Sequence, residues 1–147
     1  MAVFVINEWL WAYASGSEND DAQRRAFEIV SKLSTSDHRV VVVTASGFVR
    51  KEFGCFKNPD IRARDIAVTF FNLLQLNPDR CITLDPDTSA ALTDALAAST
   101  KDDDHYLVRA LLTVPSAVLV TTDNDLRNAL TAEGYECLSP EEFLNQL

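Results

Sequence analysis

A chain of 147 residues, 47% hydrophobic and 24% charged, has the size and balance of one globular domain with a real core. No apolar run approaches the roughly 18 residues of a membrane span, and the MAVFVINEWLW start lacks the basic segment and cleavage site of a signal peptide. A net charge of −9 argues against a broadly basic face, and Cys55, Cys81 and Cys137, scattered and without CxxC spacing, argue against a zinc ribbon or disulfide framework and for a reducing, cytoplasmic setting.

In chain order, Val3–Ile6 is an apolar run that reads as a strand buried on both faces. Trp9, Trp11 and Tyr13 follow; in an extended chain they share a face, whereas in a helix Trp9 and Tyr13 form an i,i+4 pair, and either way they make a core edge or a partner groove. Glu18–Asp21 is an acidic helix start, continued by Ala22, Ala26, Ile29, Val30 and Leu33 at helical spacing. Val40–Val43, four β-branched residues in a row, is the strongest strand signal. Thr44 to Phe56 reads as a turn and short helix. Asn58-Pro59-Asp60 opens the next, with Pro59 in its first turn and Ile61, Val68, Phe71, Leu74 and Leu76 as apolar contacts.

After an Asn77-Pro78-Asp79 turn, Cys81–Leu84 reads as a strand and Asp87 to Ala98 as an Ala-rich helix. Lys101-Asp102-Asp103-Asp104 starts a helix carrying Leu107, Ala110 and Leu111, and Asp103 has the spacing of a capping box with Thr100. Ala117–Thr121 is a further buried strand, Asp125 to Ala132 a helix closed by Gly134, and Tyr135–Leu138 a last strand. Ser139-Pro140-Glu141-Glu142 matches a capping box that opens a terminal helix. With neither repeat nor linker, residues 1–147 form a single domain. Alternating strands and helices with unbroken apolar strands predict an α/β fold: a three-layer α/β/α arrangement around a mainly parallel sheet.

In such a sheet, ligands bind beyond the C-terminal strand ends. Asn7 and Glu8 stand just past the first strand, Glu52 in the helix after the second, Asp102, Asp103 and Asp104 at a helix start, and Asp123 and Asp125 past the strand ending in Thr121-Thr122. Converging carboxylates resist ionisation unless cations neutralise them. All-oxygen donors select Mg²⁺ or Mn²⁺. Each residue also has a bland reading: Glu52 as a solvated helix residue, the Asp triplet and Asp123 as helix caps. The joint pattern is more specific than any member. Only four glycines occur, none in GxGxxG or Walker spacing, which disfavours a nucleotide-dependent enzyme.

KDDDHYLVRALL followed by SAVLVTTDNDL resembles the C-terminal half of a PIN domain, VVVTASGFVRKEFG its second element and VFVINEWL its opening strand. The resemblance runs from Val3 to about Leu138, on short motifs whose order and spacing carry it. It implies a PIN-like fold and a Mg²⁺- or Mn²⁺-dependent endoribonuclease, either the toxin of a toxin–antitoxin pair or a partner-bound enzyme, and a homodimer. It also implies Glu52, Asp103 and Asp123 as catalytic metal ligands, with Asp104 in reserve because helix register favours Asp103, and Thr121 or Thr122 supporting them by hydrogen bonds. Asn7, Glu8 and Asp125 are further ligand candidates. The family's first Asp is Asn7 here, which keeps a ligating carbonyl oxygen but no charge and cannot act as a base. Glu8 is its candidate substitute. The same departure sustains a different expectation, a non-catalytic PIN-like module binding RNA or a protein. A third reading is a phosphohydrolase of small esters.

Of the thirteen Lys and Arg residues, Arg50, Lys51, Lys57, Arg62 and Arg64 form the one locally basic stretch and flank Glu52. They are the expected RNA-phosphate contacts. Phe53 and Phe56 are either base-stacking surfaces or core packing. His38 and His105 are isolated, and His105 is expected on a helix surface.

Overall fold

The apolar run Val3–Ile6 forms strand β1 of the computed structural model, which describes residues 1–147 apart from the side chain of Thr88. Helix α1 (Trp9–Ala14) follows at once, so Trp9 and Tyr13 are an i,i+4 pair with ring centroids 5.2 Å apart. Helix α2 (Asp20–Thr35) starts where the Asn19 side chain accepts the Ala22 N–H, and it buries Ala22, Ala26, Ile29, Val30 and Leu33. Then come β2 (Arg39–Val43), α3 (Gly47–Phe56) and α4 (Ile61–Phe70). Asp60 caps α4, so Pro59 lies just before the helix and not in its first turn.

Helix α4 runs on into one π-helical turn, Phe71–Gln75, which no Gly or Pro marks. Strand β3 is Cys81–Leu84. The helix expected over Asp87–Ala98 is shorter: α5 spans Asp94–Ser99, capped by Thr93, with a 3-10 turn at Pro86–Thr88 before it. Tertiary hydrogen bonds override the local alanine propensity. The Arg109 guanidinium donates to the carbonyls of Pro86, Ser89 and Ala90, and Thr113 Oγ1 accepts the Ala90 N–H at 2.8 Å. Helix α6 (His105–Thr113), β4 (Ala117–Val120), α7 (Asn124–Ala132), β5 (Cys137–Leu138) and α8 (Pro140–Gln146) complete the chain. Gly134, at φ +90°, follows α7, and the Ser139–Glu142 capping box is formed.

All strand pairings are parallel, in the order β3-β2-β1-β4-β5. Alternate strand residues face opposite layers. Phe4, Ile6, Val40, Val42, Val118 and Val120 pack under α1 to α4 and α8, while Val3, Val5, Val41, Val43 and Leu119 pack under α5, α6 and α7. The result is the three-layer α/β/α arrangement. No described helix is long and apolar enough to cross a membrane. The chain adds β2 and β3 on one side of β1, then crosses to add β4 and β5 on the other. Strand order therefore reverses between β1 and β4, which opens a crevice beyond their C-terminal ends.

Candidate functional site

Two backbone turns leave the sheet at this crevice. After β1, the Asn7 amide is used at both ends: Nδ2 donates to Thr121 Oγ1 (3.1 Å), and Oδ1 accepts the Glu8 N–H (2.6 Å). After β4, Thr121 is fully buried, and its Oγ1 also accepts the Asp123 N–H (3.2 Å). One hydroxyl thus ties the two strand ends together, through an amide and a backbone N–H and not through a carboxylate. Thr122 is exposed but lines the cleft described below. Asp123 caps α7 with one oxygen, Oδ1 accepting the Leu126 N–H at 3.1 Å, and Asp125 is exposed in that helix's first turn.

The Asp triplet is not the start of a regular α-helix. Asp102–Asp104 forms a 3-10 turn and α6 begins at His105. At about three residues per turn, the α-helical register that favours Asp103 does not extend back through the triplet. Asp103 is exposed. Asp104 is half-buried, and its carboxyl is held above the usual carboxylate range by burial and then by the charge of Asp123, with smaller contributions from Asp103 and Glu8 opposed by Lys101. Asp104, not Asp103, lines a small cavity with Asp123 and Asp125. The expected Thr100–Asp103 capping box is absent, because Thr100 Oγ1 donates to the Leu96 carbonyl (2.6 Å) and Lys101 occupies the cap position. His105 is half-buried, its ring 3.2 Å from the Thr100 carbonyl oxygen.

Glu52 points elsewhere. It shares the buried face of α3 with Phe48 and Cys55 and is 0% exposed. With its amide nitrogen turned inward, Gln75 of the π-helical turn donates to Glu52 Oε1 (3.0 Å) and Oε2 (2.5 Å). Burial pushes the Glu52 carboxyl up to about 7 against a partial offset from Gln75, and its charge is felt by Cys55 and by Cys81 at the start of β3. Neither Asp104 nor Asp123 figures among its influences.

The charged residues of the basic stretch also divide. Arg50 and Lys51 line a cleft of about 520 Å³ that begins at Asn7, Glu8 and Thr122 and runs between α1 and α3 past Ser15, Glu18 and Asn58. Arg62 pairs with Asp60 (3.4 Å) and lines a separate cavity with Phe27 and Ile66, between α2 and α4. Lys57 and Arg64 are exposed and line neither space. Trp9 and Trp11 are core residues. Phe53 is half-exposed and stacks on Phe56, which meets Phe71, and none of the three rings lines the cleft.

Two residues near the acids belong to no motif in the sequence. Tyr106 O–H donates to Glu8 Oε1 at 3.4 Å, and burial together with Glu8 drives its phenol far above the usual range. Gly47, the first residue of α3, lies directly against the Glu8 carboxylate.

Among the described residues no three His, Cys, Asp or Glu side chains are gathered to hold a metal ion as they stand. A Mg²⁺ site does not require three, since the ion keeps several waters and takes one or two carboxylates plus substrate phosphate oxygens. The Asp104–Asp123 pair fits that chemistry: both donors are hard oxygens, the charge of Asp123 raises the cost of charging Asp104, and Asp123 commits only Oδ1 to its cap. The chain matches no protein-family model, no curated protein and no solved structure.

Proposed function

We propose that the chain is a divalent-metal-dependent endoribonuclease of PIN type, with Asp104 and Asp123 holding Mg²⁺ or Mn²⁺ and Glu8 beside them. The observation that carries this reading is the pairing of Asp104 and Asp123 in one small cavity by the strand end where strand order reverses, with Glu8, whose charge reaches Asp104, lining a separate cleft with Arg50 and Lys51. Acids at one end and cations along the wall suit a strand whose scissile phosphate lies at the acids while its neighbours are neutralised. The ion would supply Lewis acidity and an activated water. Thr121 fixes the strand ends so that Asp123 and Asn7 keep their spacing, and Arg50 and Lys51 hold the substrate backbone.

The test is cleavage of structured and unstructured RNA by purified protein with Mn²⁺ or with EDTA, beside Asp123→Asn. Asparagine caps a helix as well as aspartate does, so this variant removes charge without removing the cap. Mn²⁺-dependent cleavage lost in EDTA and in the variant supports the proposal. Cleavage that survives either points to contamination, and no cleavage with any metal favours the second reading.

That second reading is a non-catalytic module binding RNA or protein through the same cleft. It draws on Asn7, whose amide is engaged at both ends by Thr121 and Glu8, and on the burial of Glu52. Both readings share a prediction about RNA. The Arg50→Ala/Lys51→Ala double variant is expected to bind single-stranded RNA at least several-fold more weakly, with a log K against log [salt] slope shallower by about 1. Arg62→Ala, by contrast, should bind as wild type. Fluorescence anisotropy over a salt series checks both.

A further inference from the structure

Helix α3 carries a glycine that the fold itself does not require. Gly54 lies in the helix interior and is exposed, a position where alanine is the better helix former. Its φ is not positive, and a Cβ added to it would meet no atom within 4 Å. Neither backbone conformation nor packing therefore excludes a side chain. Arg50 and Lys51 stand one helical turn before Gly54 and Asn58 follows just past the helix end, and all four line the cleft between α1 and α3. The α3 wall thus runs from two cations, through a gap, to an amide. Asn58 Oδ1 accepts the Asp60 N–H at 2.9 Å, and its Nδ2 has no partner among the described residues.

The gap is preformed. Cys55 Sγ donates to the Trp11 carbonyl oxygen at 3.6 Å, and the Trp11 ring packs on Phe48 and Phe70 with centroids 5.4 and 5.3 Å apart. These contacts fix α1 against α3 and α4, so the helices cannot close over Gly54. Trp11 supplies a second, independent observation. It lines the same cleft and is 1% exposed, yet its indole N–H finds no acceptor among the described residues. A buried donor left unpaired is costly, so the cleft is short of an acceptor.

A flat group rich in acceptors, attached to a phosphate, meets all of these conditions. We infer that the gap at Gly54 receives one unstacked base of a single-stranded RNA whose phosphates lie on Arg50 and Lys51. Ring nitrogens and carbonyl oxygens of a base suit the Asn58 and Trp11 donors, whereas an apolar peptide side chain would leave both unpaired. The inference rests on the RNA-binding reading shared by both functions above, and it is independent of the metal.

Gly54→Ala in the full chain tests it, because the fold and the ligand respond in opposite directions. The variant is expected to melt about 2–4 °C higher, since a better helix former enters open space. It should nevertheless bind a labelled mixed-sequence RNA of about ten nucleotides on the order of 10-fold more weakly in fluorescence anisotropy. The salt slope should match wild type, because no phosphate contact is lost. An abasic strand of the same length should bind wild type and variant alike, and both weakly. Intact RNA bound equally by Gly54→Ala and wild type overturns the inference and leaves RNA binding standing. A matching loss on the abasic strand also overturns it, by placing the RNA backbone in the gap instead of a base. So does a lower melting temperature, which would assign the glycine to the fold. Wild type that binds neither strand overturns the RNA reading and this inference together, and leaves the gap to a peptide partner.

Discussion

Replacing Asp104 with asparagine is expected to lower Mn²⁺-dependent RNA cleavage on the order of 100-fold or more, whereas Asp103→Asn stays within about 3-fold of wild type. Removing one carboxylate from a two-carboxylate cation site forfeits several kcal/mol of charge stabilisation, and each 1.4 kcal/mol is about tenfold in rate. The structural ground for separating the neighbours is the 3-10 turn, which leaves Asp103 in solvent and turns Asp104 toward Asp123. Single-turnover kcat/KM measurements on the two variants decide between them. A large loss in Asp103→Asn with little change in Asp104→Asn would show that the triplet turns over when RNA and metal bind.

Glu52→Gln is expected to make the protein more stable at pH 8, by roughly 2–3 kcal/mol in urea melts. The sign follows from its carboxyl, raised from 4.5 to about 7 by burial. Below pH 4.5 the group is protonated in both folded and unfolded chains, so it carries no penalty. As pH rises from 4.5 through 7 the unfolded chain ionises first, and the folded state loses stability relative to it. Above 7 the cost levels off at about 3 kcal/mol, from about 1.4 kcal/mol per pKa unit. Glutamine keeps the volume and can still accept from Gln75, so the difference between variant and wild type should grow across that window and vanish near pH 4.5. A variant less stable than wild type at pH 8 would mean that the ionised form of Glu52 is the one the fold is built to hold, as a metal ligand would be.

Much of the architecture is written in residue periodicity. The runs at Val3–Ile6, Val40–Val43 and Ala117–Val120 become the three central strands because four consecutive apolar residues suit a strand covered on both faces. The Ser139 capping box and the glycine after α7 mark real helix ends. Where the reading departed from the structure, a tertiary contact or a change of helix type had overruled local pattern. Arg109 and Thr113 draw residues 86–90 out of the helix that their neighbours favour. The 3-10 turn shifts which aspartate faces inward. Glu52 matches a motif that implies a rim acid, although Phe48 and Cys55 at i−4 and i+3 place it on the apolar stripe of α3. The partners of Glu8 lie 39 and 98 residues away, at Gly47 and Tyr106, and no local pattern links them.

The proposed activity requires a cation held by Asp104 and Asp123 past the end of β4. Anomalous scattering from crystals grown in Mn²⁺ tests this directly. The expected result is a peak within coordination distance of Asp104 and Asp123 carboxylate oxygens, about 2.0–2.3 Å, near Glu8 and away from Glu52. A crevice without manganese at saturating concentration, or a peak bound to Glu52 instead, would contradict it.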